Sequence, residues 1–262
     1  MHTVRNLATF LTEFAPVALA EPWDNVGLLV GRYEQPVHRV MTCLTITPES
    51  AAEAVAENAD LIVTHHPLPF KPLKRLTGDS TEGKLLLDLI AAKIAVFSPH
   101  TAFDSAQAGI NQRLATGLKL NEIAPLVPAV DPADGGAGRF GVLPEAVDLR
   151  QLANRVKQLL EIPNVQAVGK LDQPVRKVAV ACGSAGEFLG PAKTAGCDCL
   201  VTGEVRFHTC LEAESLGVGL VLAGHYASER FAVEELVDVL SERFTALHIW
   251  ASQHEKDPLH WL

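Results

Sequence analysis

Short apolar runs alternate with longer mixed stretches along this chain. Runs rich in Val, Ile and Leu fall at 37–44, 60–64, 93–98, 176–182, 199–202 and 217–223. Continuous runs of this kind suit strands buried on both faces. Between them, 48–58, 81–92, 185–195 and 209–216 carry helix-compatible patterns, and 231–240 reads as a further helix. Residues 1–14 read as an amphipathic helix, not a signal peptide, because Glu13 comes early and no small-residue cleavage site follows an apolar core. The alternation predicts an α/β fold with mixed, largely parallel sheets.

The pattern also repeats. Asp-Leu-Ile-Val-Thr-His-His at 60–66 aligns with Asp-Cys-Leu-Val-Thr-Gly-Glu at 198–204. Each follows a helix-like stretch and an earlier strand at a matched distance, around Val40 and Val178. Later in each half, His100-x-x-x-Asp104 and His225-x-x-x-Glu229 each follow a strand. Two similar α/β halves are therefore expected, 1–125 and 126–262, with the C-terminal helix free to pack back on the first. Their equivalent strand ends should face each other. The seam is expected near 125–144, where four prolines and four glycines mark a linker or a hairpin.

The chain has 262 residues, of which 48% are hydrophobic and 20% charged, the composition of a globular protein. Twenty-two basic residues against 31 acidic ones give a net charge of −9, which opposes bulk binding to a phosphate backbone. A local basic patch remains compatible with that balance. No stretch approaches the roughly 20 apolar residues of a membrane span. Cys43, Cys182, Cys197, Cys199 and Cys210 have no zinc-ribbon spacing and read as buried thiols in a reducing, cytoplasmic setting.

Three motifs sit just past strand ends, where open α/β sheets bind ligands. Thr64-His65-His66-Pro67 offers two adjacent imidazoles, and Pro67 holds His66 extended. Asp104 lies four residues after His100, and Glu229 four after His225, so each pair shares a face if a helix starts there. Each motif also has a plain reading. The histidine pair could be a surface loop, Asp104 a cap, and Glu229 or Arg230 a solvated salt bridge. Taken together they supply His65, His66, Asp104, His225 and Glu229, three nitrogens and two carboxylates. That set suits two divalent ions about 3.5–4 Å apart. The expected site lies between the halves at the C-terminal ends of strands. Charge left over on the metals would attract an anionic substrate such as a phosphate ester. His100 could add a further ligand, but it is read as a proton-transfer or supporting residue. Glu204 and His208, the second-half counterparts of the histidine motif, could ligate directly but are read as pocket lining or as hydrogen-bonded to a ligand, with His208 a second candidate proton carrier. Asp24 and Asn25 lie in a turn before a strand; either could reach the pocket, but both are read as caps.

Gly136-Ala137-Gly138-Arg139-Phe140-Gly141 matches a dinucleotide-binding string literally. It follows Asp131-Pro132-Ala133-Asp134 instead of an apolar strand and leads into Val142-Leu143-Pro144 instead of a helix. It is read as a glycine-permitted bend.

With these motifs in order, the chain resembles the NGG-interacting-factor-like family of dinuclear-metal proteins, the GTP cyclohydrolase I type 2 homologs. The resemblance runs through 24–28, 64–67, 100–104, 136–141, Thr202-Gly203-Glu204 with His208, and 224–229. It implies a two-part α/β protomer, a homohexamer, and two divalent metal ions (Zn, Fe or Mn) on the same five ligands. The leading expectation for the activity is a metal-dependent hydrolase of a nucleotide or other phosphate-containing small molecule. The rival expectation is a non-catalytic metal-handling or metal-insertion protein, or an oligomeric adaptor. Two positions depart from the family pattern. Thr45 stands where the family often has Asp, and Ser228 where it often has Thr.

Overall fold

The computed structural model describes residues 1–130 and 135–260. It divides into two compact units, Met1–Phe103 with Ala232–Pro258, and Asp104–Phe231 with Leu259–Leu262.

The first unit opens with β1 (His2–Thr3) and α1 (Val4–Phe14), the expected amphipathic helix, which buries Val4, Leu7, Ala8 and Leu11. Then come β2 (Gly27–Val30), β3 (Pro36–Val37), β4 (Arg39–Cys43), α2 (Pro48–Ala56), β5 (Leu61–Thr64), α3 (Thr81–Ala91) and β6 (Ala95–Ser98). Helix α2 starts where it does for a local reason. Thr47 accepts from the Ser50 amide while Ser50 Oγ accepts from the Thr47 amide, and Pro48 occupies the first turn. Helix α3 is capped by Ser80 on the Gly83 amide. A short helix, α4 (His100–Ser105), follows β6.

The second unit contains α5 (Ile110–Gly117), β7 (Asn121–Pro128), β8 (Gly136–Asp148), α6 (Leu149–Leu159), β9 (Gln166–Val168) and β10 (Pro174–Ser184). It continues with α7 (Leu189–Thr194), β11 (Cys199–Glu204), α8 (Phe207–Leu216), β12 (Gly219–Leu222) and α9 (His225–Arg243). Finally β13 (His248–Ala251) belongs to the first unit.

Each unit is built around one parallel core. The first sheet runs β13-β4-β5-β6-β2, parallel except for β2. The second runs β7-β8-β10-β11-β12-β9, with β10, β11 and β12 parallel and the outer pairings antiparallel. Leu61, Ile62, Val63, Leu200, Val201, Leu220 and Val221 are all essentially inaccessible. Burial of a side chain of this size stabilises by about 1.5–3 kcal/mol, which is why these runs carried the strongest signal. In the first unit α2 and α3 cover one sheet face through Ala51, Ala54, Leu85 and Leu89. In the second, Leu189, Ala192 and Ala213 of α7 and α8 do the same.

The repeat is present in backbone detail. Val40 pairs with Leu61 and Val178 with Cys199, so partners in the two units are 138 positions apart on both strands. The same offset relates Asn58 (φ 51°) to Gly196 (φ 73°), the left-handed residues that end the preceding helical segments. It also relates Asp60 to Asp198. Asp60 Oδ2 accepts the amides of His38 and Arg39 at 2.7 and 3.0 Å, and Asp198 Oδ2 those of Arg176 and Lys177, both at 2.8 Å.

Position 125 lies inside β7, and the Pro/Gly-rich stretch forms the β7–β8 antiparallel hairpin. Residues 131–134, cited in the dinucleotide-motif argument, lie outside the described residues. The glycine string itself is strand, not a bend: Gly136 begins β8. Its Arg139 is buried and donates to the carbonyls of Gly136, Gly138, Ser105 and Ala106 and to Gln112 Oε1. Burial draws the guanidinium down to about 10. These glycines and this arginine build the strand, and no nucleotide phosphate is needed to explain them.

Among the described residues no helix is long and apolar enough to cross a membrane. Cys43, Cys182, Cys197 and Cys199 are buried and Cys210 is half-buried, and none of the five is in a disulfide.

Candidate metal centre

In the first unit, β5 ends at Thr64, and the chain continues past its carboxyl end as His65 and His66. Their amides still donate to the carbonyls of Cys43 and Leu44, at 3.0 and 2.8 Å, so the strand geometry fixes both residues. Ser98 Oγ, at the end of β6, donates to the His65 carbonyl at 2.6 Å. His65 is almost wholly buried. The His65 and His66 rings are 5.1 Å apart, and the His100 ring is 5.1 Å from His65 and 5.6 Å from His66. One nitrogen from each of His65, His66 and His100 falls within 4.8 Å of the others. His100 therefore joins the imidazole cluster directly. Its backbone sits at φ +30°, outside the conformations L side chains prefer.

Two supporting residues fix these rings. Asp24, whose side chain is fully buried, accepts from His100 Nδ1 at 2.6 Å. It also accepts from the Thr101 amide and hydroxyl and from the Asn25 amide. Burial alone would raise the Asp24 carboxyl, but these donors outweigh it and hold the group down at about 2. Asp24 thus stays ionised and accepts from Nδ1 of His100, which fixes the plane of that ring. The expectation that Asp24 is a turn cap is corrected: its main partners lie 76 and 77 positions away. Asn25 donates instead to the Pro69 carbonyl at 2.7 Å. Thr45 Oγ1 shares a hydrogen bond of 2.7 Å with His66 Nδ1, which orients that ring in turn. The residue noted as a missing carboxylate is a ring-orienting hydroxyl.

In the second unit, α9 begins at His225, so His225 and Glu229 occupy its first turns. The expected start at 231 was late. His225 Nε2 lies 3.2 Å from Glu229 Oε2, and Nδ1 donates to Glu204 Oε1 at 3.0 Å. Glu229 is buried and Glu204 exposed. The Glu229 bond, with help from Glu204, pushes His225 up to about 9 against the opposing effect of burial. Two carboxylates thus create a field that favours a cation at Nε2.

Asp104 is held separately. Cys182 Sγ donates to its Oδ1 at 3.1 Å, and Asn111 donates to its carbonyl at 3.1 Å while accepting from the Cys182 amide. Burial, reinforced by Asp104 and Glu229, pushes the Cys182 thiol up, so it remains a donor. Sequence spacing could not have found Cys182, which is 78 positions from Asp104. Ser228 Oγ donates to the His225 carbonyl and accepts from the Gly183 amide, tying the start of α9 to the end of β10.

His208 stands exposed on α8, 5.8 Å from the Phe207 ring. The bonds to His225 come from Glu204 and Glu229. His38, His248, His254 and His260 are exposed as expected. His2 is half-buried, with its ring edge-on to Phe244.

The donor chemistry fits divalent transition ions: imidazoles held at Nδ1 in His66, His100 and His225, together with carboxylates that are buried or held by hydrogen bonds. A sequence profile of the family described as Duf34/NIF3 (NGG1p interacting factor 3) matches residues 2–258. The chain belongs to the Duf34/NIF3 family. Among its relatives in that family, the "GTP cyclohydrolase 1 type 2 homolog" of Clostridium acetobutylicum is 33% identical, over 97% of each chain. The Helicobacter pylori protein named "GTP cyclohydrolase 1 type 2" is 35% identical, over 88% of each. The crystal structure of a Bacillus cereus protein related to NIF3 superposes with a TM-score of 0.89 at 26% identity, covering 99% of both chains. The Duf34/NIF3 fold of two similar α/β halves is thereby shared with a solved structure.

Proposed function

We propose that His65, His66, Asp104, His225 and Glu229 hold two divalent metal ions, and that this Duf34/NIF3 chain is a metal-dependent hydrolase. Its substrate is a nucleotide or another phosphate-containing small molecule. The observation that carries the reading is the cluster of imidazole nitrogens at His65, His66 and His100, within 4.8 Å of one another at the carboxyl ends of β5 and β6. A core histidine needs one polar partner; three converging imidazoles, two with their outer nitrogens held, suit a pair of ligands, His65 and His66, with a proton-carrying neighbour, His100. The names of the relatives, GTP cyclohydrolase 1 type 2 and its homolog, favour GTP as the first substrate to try.

Bound divalent ions would supply Lewis acidity and a water acidic enough to act near neutral pH. Zn, Fe and Mn all suit an imidazole–carboxylate set. The chain's own residues supply the rest. Asp24 keeps the proton on His100 Nδ1, so His100 Nε2 can accept a proton from the reacting water and return it to the leaving group. His208 is the second candidate for that role, although among the described residues no carboxylate is recorded on its ring. Thr45 sets the plane of His66, and Cys182 sets the rotamer of Asp104. A homohexamer, implied by the family resemblance, is part of the same proposal.

The test is a metal-reconstituted screen of the purified chain against nucleotides and phosphoesters. Turnover should require added metal and vanish in Glu229→Ala. Unchanged turnover in that variant would overturn the hydrolase reading. Full metal loading with no turnover, and ready exchange of the ion, would favour the metal-handling alternative.

A further inference from the structure

Beside the imidazoles of the first unit stand two large aromatic rings that no part of the core explains. Trp23 is 61% exposed and Phe70 is 46% exposed. Their ring centroids are 6.0 Å apart, with planes inclined at 51°. His100 completes a nearly equilateral triangle, 6.0 Å from Trp23 and 6.1 Å from Phe70, edge-on to both. The indole and phenyl rings thus form an exposed pair packed over the buried His100 ring.

The pair is anchored by polar bonds. Asp24, next to Trp23, is locked onto His100 and Thr101. The Glu21 amide donates to Thr101 Oγ1 at 2.9 Å, and the Asp24 amide to the Glu21 carbonyl, so the turn carrying Trp23 is fixed on both sides. Asn25 Nδ2 donates to the carbonyl of Pro69, next to Phe70. Exposed aromatic surface of this size costs solvation, and a pair held this firmly is the usual form of a binding surface for another flat apolar group.

Charge narrows the choice of ligand. Lys71, Lys74 and Arg75 follow Phe70 within five positions, all exposed, and no acidic residue occurs from 67 to 78. In a chain of net charge −9 this is a local cationic stretch. A flat ring that carries negative charge fits both features.

We propose that Trp23 and Phe70 form a stacking site for the base of a nucleotide, with the phosphate end extending past His100 towards His65 and His66. This deepens the hydrolase reading by assigning base recognition to residues that hold no metal. It rests on that reading only for choosing a nucleotide over other charged flat rings. Stacking on an aromatic side chain is tolerant of base identity, so the site distinguishes base from no base more sharply than one base from another.

The test uses the full chain after chelation and again after metal loading, titrated with GMP and with ribose 5-phosphate, which keeps the phosphate and lacks the base. Calorimetry gives affinity, and tryptophan emission reports on Trp23. In the wild type, GMP should bind at least about tenfold tighter than ribose 5-phosphate and quench emission. Trp23→Ala and Phe70→Ala should each weaken GMP about tenfold to a hundredfold, the loss expected for one base–aromatic stack. Neither change should alter ribose 5-phosphate affinity or metal content. Trp23→Phe should keep GMP affinity within about threefold while abolishing most of the quenching. Equal binding of the two ligands to the wild type would overturn the proposal, as would unchanged GMP affinity in Trp23→Ala. A change in sedimentation of both alanine variants with GMP affinity intact would overturn it too, because the rings would then be a chain–chain contact. Base discrimination that persists without any turnover would leave this site standing and remove only the hydrolase reading.

Discussion

The two units share a backbone device and differ in what they hang from it. In both, an aspartate at the mouth of the central strand accepts two amides from its neighbour, Asp60 in one and Asp198 in the other. In both, the parallel strands pair in the same register. At the carboxyl end the first unit has Thr64-His65-His66, and the second has Thr202-Gly203-Glu204. The second has no room for a side chain at the position of His65. A Cβ on Gly203 would stand 2.5 Å from the Gly183 carbonyl and 2.7 Å from Ser228 Oγ. The supporting bonds differ as well. His225 takes both its carboxylates from its own helix and strand, Glu229 and Glu204. His66 and His100 depend on Thr45 and on Asp24, which lies just before the antiparallel edge strand β2. Duplication therefore preserved the scaffold, while the ligand chemistry was set locally at each strand end.

The largest expected effect separates ligands from scaffold. His66→Ala and Glu229→Ala should each leave less than about a tenth of the wild-type metal content, read by elemental analysis, while circular dichroism stays native. Retention of metal by either would break the claim that both units supply ligands. Next come the supports. Asp24→Asn and Thr45→Val should each weaken metal binding about tenfold to a hundredfold, the usual cost of losing an outer partner of a ligating histidine. Glu204→Gln should fall in the same range. If Glu204→Gln alone were silent, the second unit would need no outer support, and the contrast between the units would sharpen.

Below these in size are the shared devices. Asp60→Asn and Asp198→Asn should each lower unfolding stability by about 2–3 kcal/mol in urea, since each loses a charge-assisted bond to backbone amides. A difference of more than about 1 kcal/mol between them would argue that the repeated aspartates are not equivalent supports. Gly203→Ala should cost about 1–3 kcal/mol through the forced shift of backbone around it.

The smallest effect concerns pH. Glu53 accepts from Trp250 Nε1, Ser252 Oγ and the amides of Gln253 and His254. Burial works to raise its pKa, and these bonds outweigh it, so the folded value is lowered. Its stabilising contribution is complete above the ordinary carboxylate range and is lost as pH falls through the lowered folded value. Hydrogen exchange at residues 252–254 should therefore quicken in acid, relative to the intrinsic rate, before exchange in β5 does. Equal loss of protection in both would contradict it.

The sequence made the parallel cores legible because Val, Ile and Leu runs have few other uses when buried on both faces. It made the five proposed ligands legible because they follow strand ends at helix-compatible spacing. Residues whose partners are remote in the chain stayed hidden. Asp24 reads as a cap beside Asn25 until Thr101 and His100 are folded against it. Cys182 reads as one more strand residue until Asp104 meets its thiol. Arg139 lies within a string that mimics a phosphate loop, and only its carbonyl partners identify it as a strand organiser. Strand β13 was missed because its four residues are only half-buried or exposed and give a weak apolar signal.

The central claim, that these ligands hold a pair of cations, is tested most directly by counting metal per chain under saturating Zn, Fe or Mn after removal of free ion. The wild type should hold about two ions per chain, as expected for a two-metal site, and Glu229→Ala close to none. A wild type that retains none, or a Glu229→Ala variant as fully loaded as the wild type, would contradict the account.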